Sequence, residues 1–131
     1  MATIMLVDDD IDVAEIIGEC LSEAGYTVDV FTSGIEALNS CVDCRYAMVI
    51  ADINMPEIDG LSLLQMIRAQ RPHMPYLVMS GGFASMDSEV IRSADSFHYK
   101  TDGIVKLLKK VQAILILKGT NAGTSQTLLA V

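Results

Sequence analysis

Tryptophan is missing from this chain, and aromatics make up only 5% of a composition that is 51% hydrophobic, so any core must be built from aliphatic side chains. That balance, at 131 residues, fits a single compact domain of mixed α/β type. Positive charge is scarce as well, with 9 Lys and Arg against 17 Asp and Glu and a net charge of −8. A chain so short of basic residues is not expected to bind nucleic acid non-specifically, because that binding works by displacing counterions with basic patches. No run reaches the roughly 18–20 apolar residues of a membrane span. The N-terminal Met-Ala-Thr-Ile lacks the basic flank of a signal peptide, and a cytoplasmic protein with no membrane partner is expected.

Cysteine is sparse and odd in number, 3 in all, which does not make a disulfide framework. Cys41 and Cys44 form a lone C-x-x-C without the further ligands a zinc site needs. Cys20 and Cys41 fall on apolar helical positions and read as small core residues. Of the 2 histidines, His73 lies in a Pro-rich turn and His98 in a strand-like run, and neither has a nucleophile beside it in sequence.

What is present is an alternation of short apolar runs with helical stripes. Residues 47–60 are the centre of it: Ala-Met-Val-Ile-Ala followed by Asp52, then Met55-Pro56 and Asp59-Gly60. Such a run, bounded by turn residues, predicts a strand at about 48–51, buried on both faces as in a parallel sheet. Further strands are expected at Thr3 to Val7, Tyr26 to Phe31, Tyr76 to Met79 and Ser96 to Tyr99. Val13, Ile16, Ile17, Cys20, Leu21 and Ala24 form one helical stripe, with Asp12 and Glu15 as its capping box and Gly25 as its stop. Ser33 and Glu36 cap a second helix running to about Cys41, and a third carries Leu63, Met66 and Ile67 on one face. A short helix is expected at 87–92. Ile104, Leu107, Leu108, Val111, Ile114 and Leu115 mark the last helix. Five βα units predict a doubly wound parallel sheet with helices on both faces.

The strand ends collect chemistry. Asp8, Asp9 and Asp10 follow the first strand, Asp52 the third, Ser80 and Gly81 the fourth, and Lys100 the fifth. In open α/β sheets the carboxyl edge is where ligands bind. Acids gathered there repel one another unless a cation is held, and hard oxygen donors favour magnesium over zinc. A carboxylate, a cation, a hydroxyl and an ammonium are together the parts needed to move a phosphoryl group.

Four motifs in order, Val7-Asp8-Asp9, Asp52-Ile53-Asn54-Met55-Pro56-Glu57-Ile58-Asp59-Gly60, Met79-Ser80-Gly81 and Phe97-His98-Tyr99-Lys100, resemble those of response-regulator receiver domains of two-component signalling. The resemblance implies a flavodoxin-like sheet with strand order 2-1-3-4-5. It covers nearly all of Thr3 to about Leu117, so residues 1–118 read as the receiver, and 119–131, which has linker composition and no periodicity, as a flexible tail or linker stub. It makes Asp52 the acceptor of a phosphoryl group from a phosphohistidine on a sensor kinase or histidine phosphotransfer protein. Magnesium would be held by Asp9, Asp52 and the Asn54 carbonyl, with Asp8 acting through water. Lys100, the Ser80 hydroxyl and the Gly81 N–H would meet the phosphoryl oxygens, with Gly81 also leaving room beside the acceptor. Ser80 and Phe97 would form the switch that alters binding of a downstream protein.

Three departures from the family pattern stand out. Thr101 replaces the usual proline after the lysine, Ser93 stands where glycine is common before Ala94, and Gly82 leaves the acyl phosphate unscreened. An aspartyl-phosphate phosphatase would need a second acid two residues after its nucleophile. Asn54 occupies that place, which counts against a phosphatase, and because the phosphorylation and dephosphorylation of Asp52 are self-directed no enzyme in the turnover sense is expected. The competing readings are a phosphorylation-independent interaction module and a receiver cut from a longer regulator. The apolar end of the last helix, Ile114 to Leu117, is expected to be covered by a dimer partner, another protein or the tail.

Overall fold

The computed structural model describes residues 2–42, 45–81 and 92–119. The chain order is β1 (Thr3–Val7), α1 (Ile11–Glu23), β2 (Thr27–Phe31), α2 (Gly34–Ser40), β3 (Tyr46–Asp52), α3 (Gly60–Gln70), β4 (Tyr76–Ser80), β5 (Ser96–Tyr99) and α4 (Ile104–Gly119). The five strands are all parallel and lie in the order β2-β1-β3-β4-β5. This is the doubly wound sheet and the order that the sequence motifs imply. The helix expected at 87–92 falls largely outside the described residues, as do Gly82 and Cys44.

Alternate residues of a strand point to opposite faces, and the core divides accordingly. Ile4 and Leu6 of β1 pack with Ile17 and Leu21 of α1 and Leu107, Val111 and Ile114 of α4. Met5 and Val7 pack on the other face with Ala37 and Cys41 from α2 and Leu63, Leu64 and Ile67 from α3. Because both faces are covered, every residue of β3 from Met48 to Asp52 is buried. The strand is longer than the apolar run alone suggests, since Tyr46 also pairs, with its hydroxyl donating to Asp29 at 2.7 Å.

Some helix expectations shift. The N-cap of α1 is Asp10, whose carboxylate accepts from the N–H groups of Asp12 and Val13, so the Asp12 and Glu15 capping box does not form the start of the helix. The buried face is Ala14, Ile17, Gly18 and Leu21, turned from the expected stripe, and Ile16 is 63% exposed. Gly18 explains the turn: its Cα faces Val30 and Val28, where an added Cβ would sit 3.4 Å from Val30, so the helix lies close on β2 there. In α3, Leu64 takes the buried place expected of Met66, which is exposed. Ser33 caps α2 as expected, accepting from the Glu36 N–H at 3.3 Å, and the α4 stripe buries Leu107, Val111 and Ile114. Beyond it Ile116 and Leu117 are 57% and 67% exposed, so this end of α4 is apolar on its open side.

Candidate functional site

The β1 run ends because Asp8 and Asp9 cannot continue a core strand, and the chain turns directly into α1. Asp8 is fully buried. One of its oxygens accepts the Asp10 N–H at 3.0 Å and the other accepts from Lys100 Nζ at 2.7 Å. Asp52 ends the neighbouring β3 and is 6% exposed. It accepts from the Asn54 N–H at 3.4 Å and from the same Lys100 ammonium at 3.1 Å. Asp9 is exposed, and one oxygen from each of Asp8, Asp9 and Asp52 lies within 4.8 Å of the others.

Lys100 reaches the cluster because β5 ends at Tyr99 and the chain tightens into a short 3-10 turn over Lys100–Asp102. The Lys100–Thr101 bond is trans, so the missing proline leaves an ordinary peptide. Ser80, at the end of β4, is 1% exposed and sits beside the Asp52 strand through the Asp52 to Met79 register. Gly81 follows it. Among the described residues a Cβ built there would meet Lys100 Cδ alone, at 3.6 Å, an ordinary contact, on the side of the site that the lysine occupies. Asn54 is exposed beside Asp52. Phe97, on β5, is half-buried against the α2 and α3 side of the core and meets Tyr99 edge-on at 4.8 Å. Its backbone carbonyl accepts from Lys110 Nζ of α4 at 2.8 Å.

The electrostatics follow from burial. Loss of water is the largest influence on Asp52 and pushes its carboxyl above the usual range; the Lys100 hydrogen bond and charge and the Asn54 N–H oppose this, while the charge of Asp8 adds to it. For Lys100 burial favours the neutral amine, but the two carboxylates outweigh it and the ammonium is held above its ordinary value. His98 is 2% exposed on the α4 side of β5, and burial with nearby Lys110 lowers its pKa, as suits a packed residue. His73 is exposed. Cys41 is a buried core residue, as expected, and burial raises its thiol pKa.

In the sequence Gly60 reads as the turn residue that closes the loop after Asp52. In the structure a Cβ on Gly60 would lie 2.2 Å from the Asp52 carbonyl oxygen, so the first residue of α3 rests directly on the backbone of the acid. The tight Asp-Gly step was visible, but nothing in it pointed to that contact. Ser93, at the position where glycine is common, has no positive φ; among the described non-glycine residues that conformation belongs to Glu57, at φ 67°.

Five parallel strands in this order, with acids, a hydroxyl and a lysine along the carboxyl edge, define the CheY-like class of flavodoxin folds. The response regulator receiver domain family matches residues 4–113, and the chain belongs to that family. Receiver domains are the phosphorylatable switches of two-component signalling, set between histidine kinases and downstream effectors. Among curated relatives, the transcriptional regulatory protein PrrA of Mycobacterium tuberculosis is 32% identical over 131 residues, covering 98% of this chain and 56% of its own length. The chain thus spans about half the length of the curated relatives it matches. Among solved structures, the Thermotoga maritima response regulator TrrA, in complex with Mg(2+)-BeF, has a TM-score of 0.81 at 31% identity, over 88% of this chain and 100% of that one. A CheY-like receiver domain protein from Methanospirillum hungatei has a TM-score of 0.85 at 25% identity, over 92% and 98%. No helix among the described residues is long and apolar enough to cross a membrane.

Proposed function

We propose that this domain switches by taking a phosphoryl group onto Asp52 from a phosphohistidine on a sensor histidine kinase or histidine phosphotransfer protein. The observation that carries the reading is the sharing of one lysine by two buried carboxylates, Asp8 and Asp52, at the edge where β1, β3 and β5 end. In the transfer an Asp52 oxygen bonds to phosphorus as the P–N bond breaks. The electron pair returns to an imidazole that is protonated on its other nitrogen and leaves neutral.

The donor set around Asp52 is all oxygen, which suits a hard divalent cation. Asp9, Asp52 and the Asn54 carbonyl would hold Mg2+, with Asp8, both of whose oxygens already accept protein hydrogen bonds, acting through a water. The Mg(2+)-BeF complex of TrrA supports a site that takes a cation with a small anion. When bound, the ion offsets negative charge on the transferring group. Lys100 then leaves Asp52 for a phosphoryl oxygen, and the Ser80 hydroxyl and Gly81 N–H donate to the others. Movement of Ser80 makes space for Phe97 to turn inward, which reshapes the face formed by β5 and α4 and changes partner binding. The chemistry is self-directed, so the domain is a switch and not a turnover enzyme, and it works in the cytoplasm without nucleic acid of its own.

Residues 1–118 form this unit, with 119–131 as tail or linker. The half-length match to PrrA favours a second reading for the output, in which the domain belongs to a longer regulator. Intact mass after treatment with acetyl phosphate and Mg2+, beside Asp52→Asn, tests the acceptor. A single base-labile phosphoryl, dependent on Mg2+ and missing from the variant, is expected. Phosphorylation of the variant to the same extent would overturn Asp52 as acceptor; no gain with either acetyl phosphate or a phosphohistidine protein would leave the interaction module.

A further inference from the structure

The loop that leaves Asp52 carries the Asn54 carbonyl, and its two ends are tied together. The Gly60 N–H donates to the Ile53 carbonyl at 2.9 Å, the Gly60 Cα lies against the Asp52 carbonyl, and the Ile53 N–H donates to Met79 of β4 at 2.8 Å. Between those ties Glu57 is held in the left-handed region at φ 67°. A non-glycine residue keeps that conformation only where its surroundings over-determine it.

What fixes the far end of the loop is a side chain from the opposite end of the neighbouring strand. Tyr76, the first residue of β4, is fully buried, and its hydroxyl donates to the Gly60 carbonyl at 2.8 Å. Its own backbone is anchored in turn: the Tyr76 N–H donates to the Asp95 carboxylate at 2.8 Å, and the Tyr76 carbonyl accepts the Asp95 N–H at 2.9 Å. The Asp95 carboxylate is itself held by Arg68 at 3.1 Å. The phenol is therefore a strut that rises through the core from a braced base to the residue pressing on the acceptor's backbone. A buried phenol needs a partner, and many carbonyls could have supplied one; this one belongs to Gly60.

We propose that Tyr76 is a positioning residue for the phosphoryl-transfer site, acting through Gly60 to hold the Asp52 backbone and the Asn54 carbonyl where the cation needs them. The inference rests on the reading of Asp52 and Mg2+ given above. Removing only the hydroxyl, with Tyr76→Phe, should loosen cation binding and slow phosphorylation at temperatures where the fold is intact.

The test is Mg2+ titration by calorimetry, together with initial phosphorylation rates from acetyl phosphate across a Mg2+ series, for the wild type, Tyr76→Phe and Tyr46→Phe. Tyr46 is the matched control, since it also loses a hydroxyl with a 2.7 Å hydrogen bond, to Asp29, at the opposite end of the sheet. Tyr76→Phe is expected to raise the Mg2+ half-saturation by about threefold to tenfold, the worth of one hydrogen bond, while Tyr46→Phe leaves it unchanged. Equal half-saturation for Tyr76→Phe and the wild type would overturn the proposal, as would an equal shift in both variants, which would mean general loosening. If the wild type itself took neither Mg2+ nor phosphoryl, the reading of the site would fail instead of this inference.

Discussion

Two glycines border the acceptor, and the structure predicts opposite outcomes for the same substitution. A methyl on Gly60 would stand 2.2 Å from the Asp52 carbonyl oxygen, 2.8 Å from its carbon and 3.0 Å from the Ile53 Cα. All three are backbone atoms, so no side chain can rotate away, and either α3 or the end of β3 must move. Overpacking of this kind costs about 1–3 kcal/mol, and a clash confined to backbone belongs at the upper end. Alanine's better helix propensity returns only about 0.5–1 kcal/mol. A net loss of roughly 2 kcal/mol should lower the melting midpoint by about 6–10 °C for a domain of this size. Phosphorylation should fall as well, because the contact forced apart is with the acceptor's own backbone. At Gly81 the added methyl meets, among the described residues, Lys100 Cδ alone, at 3.6 Å, and the backbone is not in the left-handed region. Gly81→Ala should melt within about 2 °C of the wild type, as a surface change of small energy does. Circular dichroism melts and intact-mass phosphorylation read both effects. A Gly60→Ala protein as stable as the wild type, or a Gly81→Ala protein as damaged as Gly60→Ala, would refute the reasoning.

Lys100→Met leaves the buried Asp8 and Asp52 carboxylates without their shared cation. A loss of about 3 kcal/mol is expected from an uncompensated buried charge, recovered in part by millimolar Mg2+ in the same melt. Iodoacetamide should label Cys20 in the native protein before Cys41, which is 1% exposed and has its thiol pKa raised, chiefly by burial against the opposing charge of Arg71. Peptide masses that show the reverse order would contradict the core placement of Cys41. For Asp52→Asn the sign follows from the raised carboxyl pKa, whose largest cause is burial. The folded state keeps the proton to higher pH than the unfolded chain, so ionisation opposes folding as pH rises from the unfolded value through the folded one. The variant should therefore melt higher than the wild type at pH 7 without Mg2+, and the advantage should shrink toward pH 4 or when Mg2+ is added. A variant less stable than the wild type under the first condition would sink this argument.

The sheet was legible because parallel strands buried on both faces must be short, apolar and separated by helical stripes, and Met48 to Ala51 or Tyr76 to Met79 permit little else. Asp8, Asp52, Ser80 and Lys100 were legible as a group because topology forces strand ends onto one edge. The turn of α1 about its axis was not. Ile16 is as apolar as Ile17, and only the close approach of Gly18 to β2 decides which of them is buried. Nor were the contacts of Gly60 and Tyr76, which join residues 16 positions apart through atoms that no spacing rule addresses. Asp10 stands in sequence with the other strand-end acids, but its carboxylate is spent on the N–H groups of Asp12 and Val13. Local capping thus separates it from the pair that faces Lys100.

The charges that can be counted on the edge also set an order of events. Asp8, Asp9 and Asp52 bring three carboxylates within reach of one another, and among the described residues Lys100 alone faces Asp8 and Asp52 as a cation. With all of them ionised, the cluster is left with two negative charges, in an environment dry enough that burial dominates the titration of Asp52. A phosphoryl donor is itself anionic, so its approach to this cluster is opposed by Coulomb repulsion that water screens poorly at the site. One divalent cation cancels the excess and no monovalent one does. Phosphorylation should accordingly show an absolute requirement for a divalent ion and gain little from raising the concentration of a monovalent salt, whose ions screen charges in solvent but do not occupy the oxygens of Asp9 and Asp52.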